Sequence, residues 1–177
     1  MPWMSGVTRH STENRHVGRE CGGVKGKPIF LVWHYTVRDF EWSLRALTLG
    51  DVSAHFLVDV DGSIHQLVDT DDAAWTQGVK RADERDHLLN VLGGVCKRLA
   101  SSGSANENLW AIGVEIVNSG SEPYTPSQIE ACIRIADWCR ETHGIERRRP
   151  FQVGHEEINI RKSDPGRCFP WDVILES

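Results

Sequence analysis

The chain has 177 residues, 40% of them hydrophobic and 25% charged, which is ordinary usage for a globular protein with one core. A formal net charge of -5 argues against a nucleic-acid partner, and no apolar stretch approaches the roughly 18 residues that span a membrane. Because residues 1–16 lack the apolar segment of a signal peptide, we expect a protein that is cytoplasmic as synthesised and leaves the cell only by release or by a route other than Sec.

Alternating polar and apolar patterns predict a mixed set of strands and helices. In chain order the predicted elements are an irregular arm or loop at 1–27, a buried strand at 28–36, a helix at 39–49, a hairpin at 52–69, a weak helix at 84–100, a second buried strand at 109–118, a helix at 125–144 and a strand at 150–155. This order predicts an α/β fold in which a mixed central β-sheet is flanked by α-helices in a single domain.

Local signals set several of these boundaries. Asp61-Gly62 between two strand-like runs is a strong hairpin signal. Thr125 and Pro126 suit the N-cap and the first position of a helix. Gly50 follows the last apolar residue of the predicted helix at 39–49 and ends it.

The five cysteines are odd in number and scattered, so they do not predict a disulfide framework. Cys132 and Cys139 lie seven residues apart on a predicted helix, share one face and are predicted to be small buried apolar side chains. Cys168 is a different case, because it follows a segment rich in polar residues that could bind a metal.

Two histidines stand at the ends of predicted strands. His34 follows the apolar run IFLVW, and His155 follows FQVG. Ligands of open α/β sheets gather at the carboxyl ends of strands, and neighbouring strands would bring the two imidazoles together. For either histidine alone, a core side chain with a backbone partner is the simpler interpretation.

Lys162 and Asp164 follow His155 within the segment VGHEEINIRKSDPG. A catalytic zinc ion typically has three protein ligands and keeps a fourth position for water, and two histidines with one carboxylate fit that count. In isolation the simpler interpretation of Asp164 is an Asp-Pro-Gly turn in which it only bonds backbone amides, and that of Lys162 is a surface residue. Cys168 remains a candidate ligand, although the frame Lys-x-Asp-Pro-Gly places Asp164 better.

Glu115 interrupts the apolar run AIGVEIV. A carboxylate in a buried strand is costly unless it is paired or functional. If this strand lies beside the strand that ends at His34, the carboxylate could face a water at the metal. The alternative is an edge strand whose glutamate faces solvent.

Four segments in this order resemble the type 2 N-acetylmuramoyl-L-alanine amidases, a zinc family that also contains phage endolysin amidases and peptidoglycan recognition proteins. They are VWHYT around His34, VSAHFLVDVDGSIHQLV, WAIGVEIVN around Glu115, and VGHEEINIRKSDPG, and together they cover roughly residues 28–171. The segment VSAH, the RKxDPG frame and an aspartate as third ligand are most similar to the cytosolic anhydromuropeptide amidases of wall recycling. Peptidoglycan recognition proteins and many phage enzymes have a cysteine where Asp164 stands.

The resemblance implies zinc-dependent hydrolysis of the amide between the lactyl group of N-acetylmuramic acid and L-alanine, in peptidoglycan or its fragments, with a zinc-activated water as nucleophile. It implies one zinc ion bound by His34, His155 and Asp164. By the same resemblance Glu115 is the general base and Lys162 stabilises the oxyanion. The predicted contacts to sugar or peptide come from side chains close in sequence to these groups: Tyr35, Trp75, Asn118 and Arg161. The expected partner is therefore a peptidoglycan or muropeptide substrate, bound by a monomer.

The chain departs from the family pattern in three places. Residues 75–78 are Trp-Thr-Gln-Gly where relatives often have Trp-His-Ala-Gly, so a histidine near the substrate is absent. Ala54 replaces a tyrosine used by some phage members, which gives Lys162 more of the transition-state role. Within an amidase domain at 28–177, the segment at about 79–108 is longer than a minimal member needs and is predicted to be an insertion.

Two other functions remain open at this point. A non-catalytic peptidoglycan-binding module of the same fold would usually have lost a zinc ligand, whereas this chain keeps all three. A zinc peptidase of another family would show His-Glu-x-x-His on a helix, but the residue four after His155 is Asn159. The biological setting is also open between a recycling enzyme, a phage or prophage lysin and an exported antibacterial effector.

Overall fold

The computed structural model describes residues 2–78 and 106–176. In this part of the chain the strands are β1 (Thr8–Arg9), β2 (Arg15–His16), β3 (Glu20–Cys21), β4 (Val24–Lys25), β5 (Phe30–Tyr35), β6 (Phe56–Val58), β7 (Ile64–Gln66), β8 (Ala73–Ala74), β9 (Ala111–Ile116) and β10 (Gln152–Gly154). The α-helices are α1 (Phe40–Leu49), α2 (Pro126–His143), α3 (His155–Ile158) and α4 (Trp171–Ile174). The weak helix predicted at 84–100 and nearly all of the insertion predicted at 79–108 lie outside the described residues.

Across the described residues, six strands form the central sheet in the order β1-β7-β6-β9-β5-β10. Strands β6, β9, β5 and β10 are parallel to one another, whereas β7 is antiparallel to β6. The remaining short strands form two antiparallel pairs, β2 with β8 and β3 with β4. The predicted mixed sheet is therefore confirmed, and its four parallel strands direct their carboxyl ends to one edge.

The predicted hairpin is present as β6 and β7. The backbone N–H of Gly62 donates to the carbonyl of Asp59 at 3.0 Å, and the N–H of Asp59 donates to the carbonyl of Ser63 at 3.0 Å. Gly62 has a φ of +86°, a conformation that glycine adopts without steric cost. The turn chemistry of Asp61-Gly62 thus produces the geometry that the sequence predicts.

Helix α2 covers one face of the sheet. Thr125 and Gln128 form a capping box at its start, and Gly144 ends it in the left-handed conformation. Its buried face, which includes Cys132 and Cys139 as predicted, packs on side chains that alternate along the parallel strands: Leu31, Trp33, Phe56, Val58, Ile112, Val114 and Ile116.

The opposite face of the sheet carries α1 and the functional residues. Helix α1 begins after Asp39, whose side chain accepts a hydrogen bond from the backbone of Trp42 at 2.9 Å, as an N-cap does. Leu47 of this helix packs with Leu57 and Val117 from the sheet. The site described below lies on this same face, beside α1.

The N-terminal segment, predicted as an irregular arm, is more structured than expected, because β1 pairs with β7 and extends the central sheet. The buried side chain of Arg19 fixes the segment to the domain. Its guanidinium donates hydrogen bonds of 2.9–3.1 Å to main-chain carbonyls of Thr70, Asn108, Leu109 and Ala111. The predicted domain boundary at residue 28 stays a prediction.

Within residues 2–78 and 106–176, no helix combines the length and apolar character needed to cross a bilayer.

Candidate metal and catalytic site

Two histidines and one aspartate meet at the carboxyl edge of the parallel strands. Nδ1 of His34 lies 3.0 Å from Nδ1 of His155 and 2.8 Å from Oδ2 of Asp164. Nδ1 of His155 lies 3.0 Å from the same carboxylate oxygen. Three potential metal ligands therefore converge on one point.

Sheet register explains why the histidines meet. Strand β10 lies beside β5 in parallel, and Gly154 is the register partner of Trp33. His34 follows Trp33 within β5, and His155 follows Gly154 as the first residue of α3, so the two histidines stand side by side. The predicted proximity of the two strand-end histidines follows from this pairing.

Asp164 reaches the histidines because its loop folds tightly against β10. A side chain at Gly154 would place its Cβ 2.6 Å from Cδ of Pro165, so only glycine permits this approach. The carbonyl of Asp164 accepts the N–H of Glu156 at 2.9 Å. Tyr124 donates its hydroxyl to the carbonyl of Pro165 at 2.7 Å and fixes the loop from the other side.

The charges of these residues suit a cation. Burial, reinforced by neighbouring His155, lowers the pKa of His34 to about 4, so its imidazole is neutral at pH 7. Burial opposes ionisation of Asp164, but hydrogen bonds with the two histidines outweigh it and hold the pKa of the carboxyl well below its usual range. The cluster thus presents an anionic oxygen beside a neutral imidazole.

Gln77 lies directly behind both histidines and is fully buried. Its side-chain Oε1 is 3.0 Å from Nε2 of His34, and its main-chain oxygen is 2.8 Å from Nε2 of His155. Among the described residues, its side-chain Nε2 has no hydrogen-bond partner. The sequence prediction did not include this residue, although it noted the unusual Trp-Thr-Gln-Gly segment that contains it.

Glu115 stands on the strand next to His34. It is the register partner of His34 across β5 and β9, so both side chains emerge on the same face of the sheet. Burial and the nearby charge of Asp164 raise the pKa of Glu115 to about 8, while the charge of Lys162 opposes the shift. The predicted neighbouring strands are confirmed, and the alternative of a solvent-facing edge strand is wrong.

A cavity of about 380 Å³ opens over the cluster. The three ligand candidates, Glu115 and Lys162 all line it, and so do Tyr35 and Arg161. The hydroxyl of Tyr35 lies 2.6 Å from Oγ of Ser163, which ties the rim of the cavity to the loop that carries Lys162.

The structure places the other two predicted contact residues elsewhere. Trp75 packs its ring against His16 at 5.5 Å between centroids, and its indole N–H is buried. Asn118 accepts the N–H of Gly120 at 2.7 Å and shapes the turn after β9. Among the described residues, neither is part of the cavity lining.

Thr76 and Ser53 are among the other residues that line the cavity, and the sequence prediction gave them no role. Thr76 occupies the position at which relatives often have histidine, and its hydroxyl donates to the carbonyl of Ser53 at 2.9 Å. Gly113 allows Thr76 to approach, because a Cβ there would lie 2.7 Å from the threonine side chain. Ser53 lines the same wall, whereas its neighbour Ala54 is buried in the core under α1.

The donor set fits a metal ion. The ligand atoms of His34, His155 and Asp164 all lie within 4.8 Å of one another and could bind one cation. Both Nε2 atoms face oxygen acceptors of Gln77, which leaves the Nδ1 lone pairs available to a metal. Cys168 lies apart from the cluster, with its thiol 3.8 Å from the carbonyl of Ser121.

The chain is similar to curated bacterial amidases. It is 31% identical over 163 residues to N-acetylmuramoyl-L-alanine amidase AmiD of Escherichia coli (strain K12), covering 82% of this chain and 51% of that protein. It is 30% identical over 127 residues to 1,6-anhydro-N-acetylmuramyl-L-alanine amidase AmpD of Haemophilus influenzae, covering 71% of this chain and 58% of that protein. The chain thus spans little more than half the length of the curated relatives it matches.

Solved structures share the architecture. A selenomethionine derivative of AmpD matches with a TM-score of 0.68 at 20% identity, over 98% of this chain and 97% of that chain, which shows the fold. AmiD from E. coli, in complex with the substrate anhydro-N-acetylmuramic acid-L-Ala-D-gamma-Glu-L-Lys, matches with a TM-score of 0.65 at 28% identity, over 88% of this chain and 59% of that chain.

The family model described as N-acetylmuramoyl-L-alanine amidase matches residues 25–167, a range that contains the whole cluster. Since this range is well over half of the chain, the protein belongs to the N-acetylmuramoyl-L-alanine amidase family.

Proposed function

We propose that this protein hydrolyses the amide between the lactyl group of N-acetylmuramic acid and L-alanine in peptidoglycan or its fragments, with one zinc ion as cofactor. The observation that carries the proposal is the convergence of His34, His155 and Asp164 beside Glu115 in a single cavity. Family membership supports it, as does a substrate complex of the E. coli relative that contains the same type of bond.

The proposed zinc ligands are Nδ1 of His34, Nδ1 of His155 and the carboxylate of Asp164. Two neutral imidazoles and one carboxylate are a common ligand set for catalytic zinc. When bound, zinc lowers the pKa of water and polarises a carbonyl oxygen. Asp164, whose carboxyl pKa lies well below its usual range in the metal-free site, gives the set its one anionic ligand.

Glu115 is the proposed general base and later the proton donor. Without a cation its pKa of about 8 would keep it protonated at neutral pH. Positive charge at the adjacent ligands favours the ionised form, so the carboxylate becomes a proton acceptor when the site is loaded. Glu115 then removes the proton from the attacking water and delivers it to the departing amine of L-alanine.

Lys162 is proposed to stabilise negative charge on the former carbonyl oxygen. Its exposed side chain lines the same cavity as Glu115, and its positive charge favours the ionised form of that carboxyl. Donors aimed at a developing oxyanion are commonly worth ~10²–10³ in rate. Tyr35 and Arg161, which share the cavity rim, are the residues that we propose to contact the sugar or the peptide.

A non-catalytic peptidoglycan-binding module of the same fold is the competing function. Such a module requires shape and hydrogen bonds but no buried proton acceptor at a metal cluster. The presence of Glu115 in register with His34 therefore favours the enzyme.

Glu115→Gln tests this choice. The variant should keep one zinc per chain, measured by elemental analysis. Its turnover of a synthetic muramoyl-peptide should fall ~10²–10⁴-fold. Glu156→Gln is the matched control, because that exposed glutamate follows a proposed ligand but does not line the cavity, and it should retain activity. Binding of muropeptide by the wild type without any release of peptide would establish the binding module instead.

The physiological substrate needs a separate comparison. Intact sacculi and purified anhydromuropeptides are digested side by side, and released stem peptides are quantified. Activity confined to soluble fragments would support a recycling enzyme, whereas efficient release from sacculi would support a lytic enzyme.

A further inference from the structure

A single residue contacts the rear nitrogen of both proposed histidine ligands. Oε1 of Gln77 lies 3.0 Å from Nε2 of His34, and the main-chain oxygen of Gln77 lies 2.8 Å from Nε2 of His155. Gln77 lies within residues 75–78, the segment in which this chain departs from Trp-His-Ala-Gly. The departure therefore adds a polar side chain immediately behind the cluster.

The chemistry of these contacts favours one tautomer of each imidazole. Both atoms of Gln77 are oxygens, which can only accept hydrogen bonds, so in the metal-bound form, where each Nδ1 would give its lone pair to the cation, each facing Nε2 carries the proton. A neutral ring with its proton on Nε2 has its lone pair on Nδ1. Those Nδ1 atoms are the ones that converge with Asp164.

The two histidines depend on Gln77 in different ways. His155 bonds to the main chain, and this acceptor remains whatever residue occupies position 77. His34 bonds to the side chain, which a substitution can remove. If the amide were turned over, its NH₂ group would face Nε2 and would force the proton of a neutral His34 onto Nδ1.

Core packing alone does not explain a glutamine here. Gln77 is fully buried, and its Nε2 has no hydrogen-bond partner within residues 2–78 and 106–176. A buried donor without a partner destabilises the folded state, and an apolar side chain of similar length would avoid that cost. The oxygen atom of the side chain is the part that has a partner, and that partner is His34.

We propose that Gln77 is a positioning residue whose side-chain oxygen holds His34 in the tautomer and orientation that bind the metal. The inference rests on the proposed zinc function. Groups that accept from the second nitrogen of a metal-bound histidine commonly contribute 10–100-fold to metal affinity. The side chain of Gln77 thus gives one ligand a specific support.

The test measures zinc binding rather than turnover. Zinc dissociation constants are obtained by competition with a chromophoric chelator for the wild type, Gln77→Met, Gln77→Ala and Gln77→Glu. Methionine keeps the length of the side chain without an oxygen acceptor. Alanine removes the side chain beyond Cβ and serves if the methionine variant does not fold. Both should bind zinc 10–100-fold more weakly, and glutamate, which restores an oxygen acceptor, should recover most of the affinity.

A spectroscopic signature separates positioning from packing. In the zinc-loaded wild type, NMR of ¹⁵N-histidine-labelled protein should show slowly exchanging Nε2–H signals for both His34 and His155. Gln77→Met should lose or accelerate the exchange of the His34 signal alone, because His155 keeps its main-chain acceptor.

The matched control is Gln152→Met. Gln152, on strand β10, is as deeply buried as Gln77. Its Oε1 accepts a hydrogen bond from the indole N–H of Trp33 at 2.9 Å. This variant should unfold at a lower temperature than the wild type but bind zinc with unchanged affinity.

The outcomes separate this inference from the proposed function. A wild type that binds no zinc would overturn both. Zinc binding by the wild type with an unchanged constant in the methionine and alanine variants would overturn only the inference. Weaker binding that glutamate does not restore, with both histidine signals intact, would assign Gln77 to packing and would also overturn it.

Discussion

Replacing Glu115 by glutamine should stabilise the metal-free protein at alkaline pH. Burial and the charge of Asp164 raise the pKa of this carboxyl from its ordinary 4.5 to about 8. Below pH 4.5 the group is neutral in both the folded and unfolded states, so it has no pH-dependent effect on stability. Between pH 4.5 and 8 the unfolded chain releases the proton but the folded protein retains it, so the free energy of unfolding falls as pH rises.

The size of the effect follows from the two pKa values. Each pH unit in this window lowers the free energy of unfolding by about 1.4 kcal/mol, so the difference between glutamine and glutamate reaches about 3 kcal/mol at pH 7 and about 5 kcal/mol above pH 8. Glutamine does not titrate, and the charges of Asp164 and Lys162 are common to both proteins. The difference between the two pH profiles therefore isolates Glu115.

Urea unfolding with a chelator present, at half-unit steps from pH 4.5 to 8.5, measures this difference. A constant offset between the proteins reflects only local packing, whereas a divergence that grows with pH reports the carboxyl. Glu122→Gln, which removes an exposed carboxylate from the loop after β9, corrects for the loss of one negative charge. If the free energy of unfolding of Glu115→Gln and of the wild type changed in parallel with pH, the claim that the folded state raises the pKa of Glu115 would be refuted.

Four further substitutions or treatments test the remaining assignments. His34→Ala should lower the zinc-to-protein ratio measured by elemental analysis, and an unchanged ratio would remove His34 from the ligand set. Lys162→Met should reduce kcat on a muramoyl-peptide by ~10²–10³ with zinc content unchanged, so a variant with normal kcat would leave the oxyanion without this partner. Zinc at about 1,000 times its dissociation constant should stabilise the wild type by about 4 kcal/mol over the chelated protein, measured by thermal unfolding, and equal Tm values would contradict the site. Arg19→Met should destabilise the fold by about 3–5 kcal/mol in urea unfolding, because it leaves buried carbonyls without a hydrogen-bond donor. A change below 1 kcal/mol would show that water replaces the guanidinium.

Much of the fold was predictable because local signals and the global arrangement agree. The helix that Thr125 and Pro126 open and the hairpin at Asp61-Gly62 each carry their own capping or turn chemistry. The two buried strands were evident from apolar runs, the second interrupted only by Glu115, as expected of parallel central strands. The N-terminal segment was less predictable, because β1 is only two residues long and exists through its pairing with β7.

Like the fold, the candidate site contains residues that the sequence could place and residues that it could not. His34, His155 and Glu115 stand on regular strands or at their ends, so periodicity placed each one, and the family resemblance supplied the neighbouring strands that the register confirms. The predicted contact residues Trp75 and Asn118 were chosen for closeness in sequence, but the orientation of a loop side chain depends on tertiary contacts that no local pattern encodes. One contacts His16 and the other closes a turn.

Residues 75–78 show how a departure from a family pattern can be misinterpreted from sequence alone. The missing histidine suggested a loss, yet the structure shows two replacements with different positions. Thr76 faces the cavity, held against Gly113, and Gln77 faces the rear of the metal ligands. Because these adjacent side chains face different sides, one can alter the surface offered to substrate while the other supports the metal. Substituting Thr76 and Gln77 together would mix these effects. Single substitutions should separate them, because zinc affinity should change with position 77 and KM with position 76.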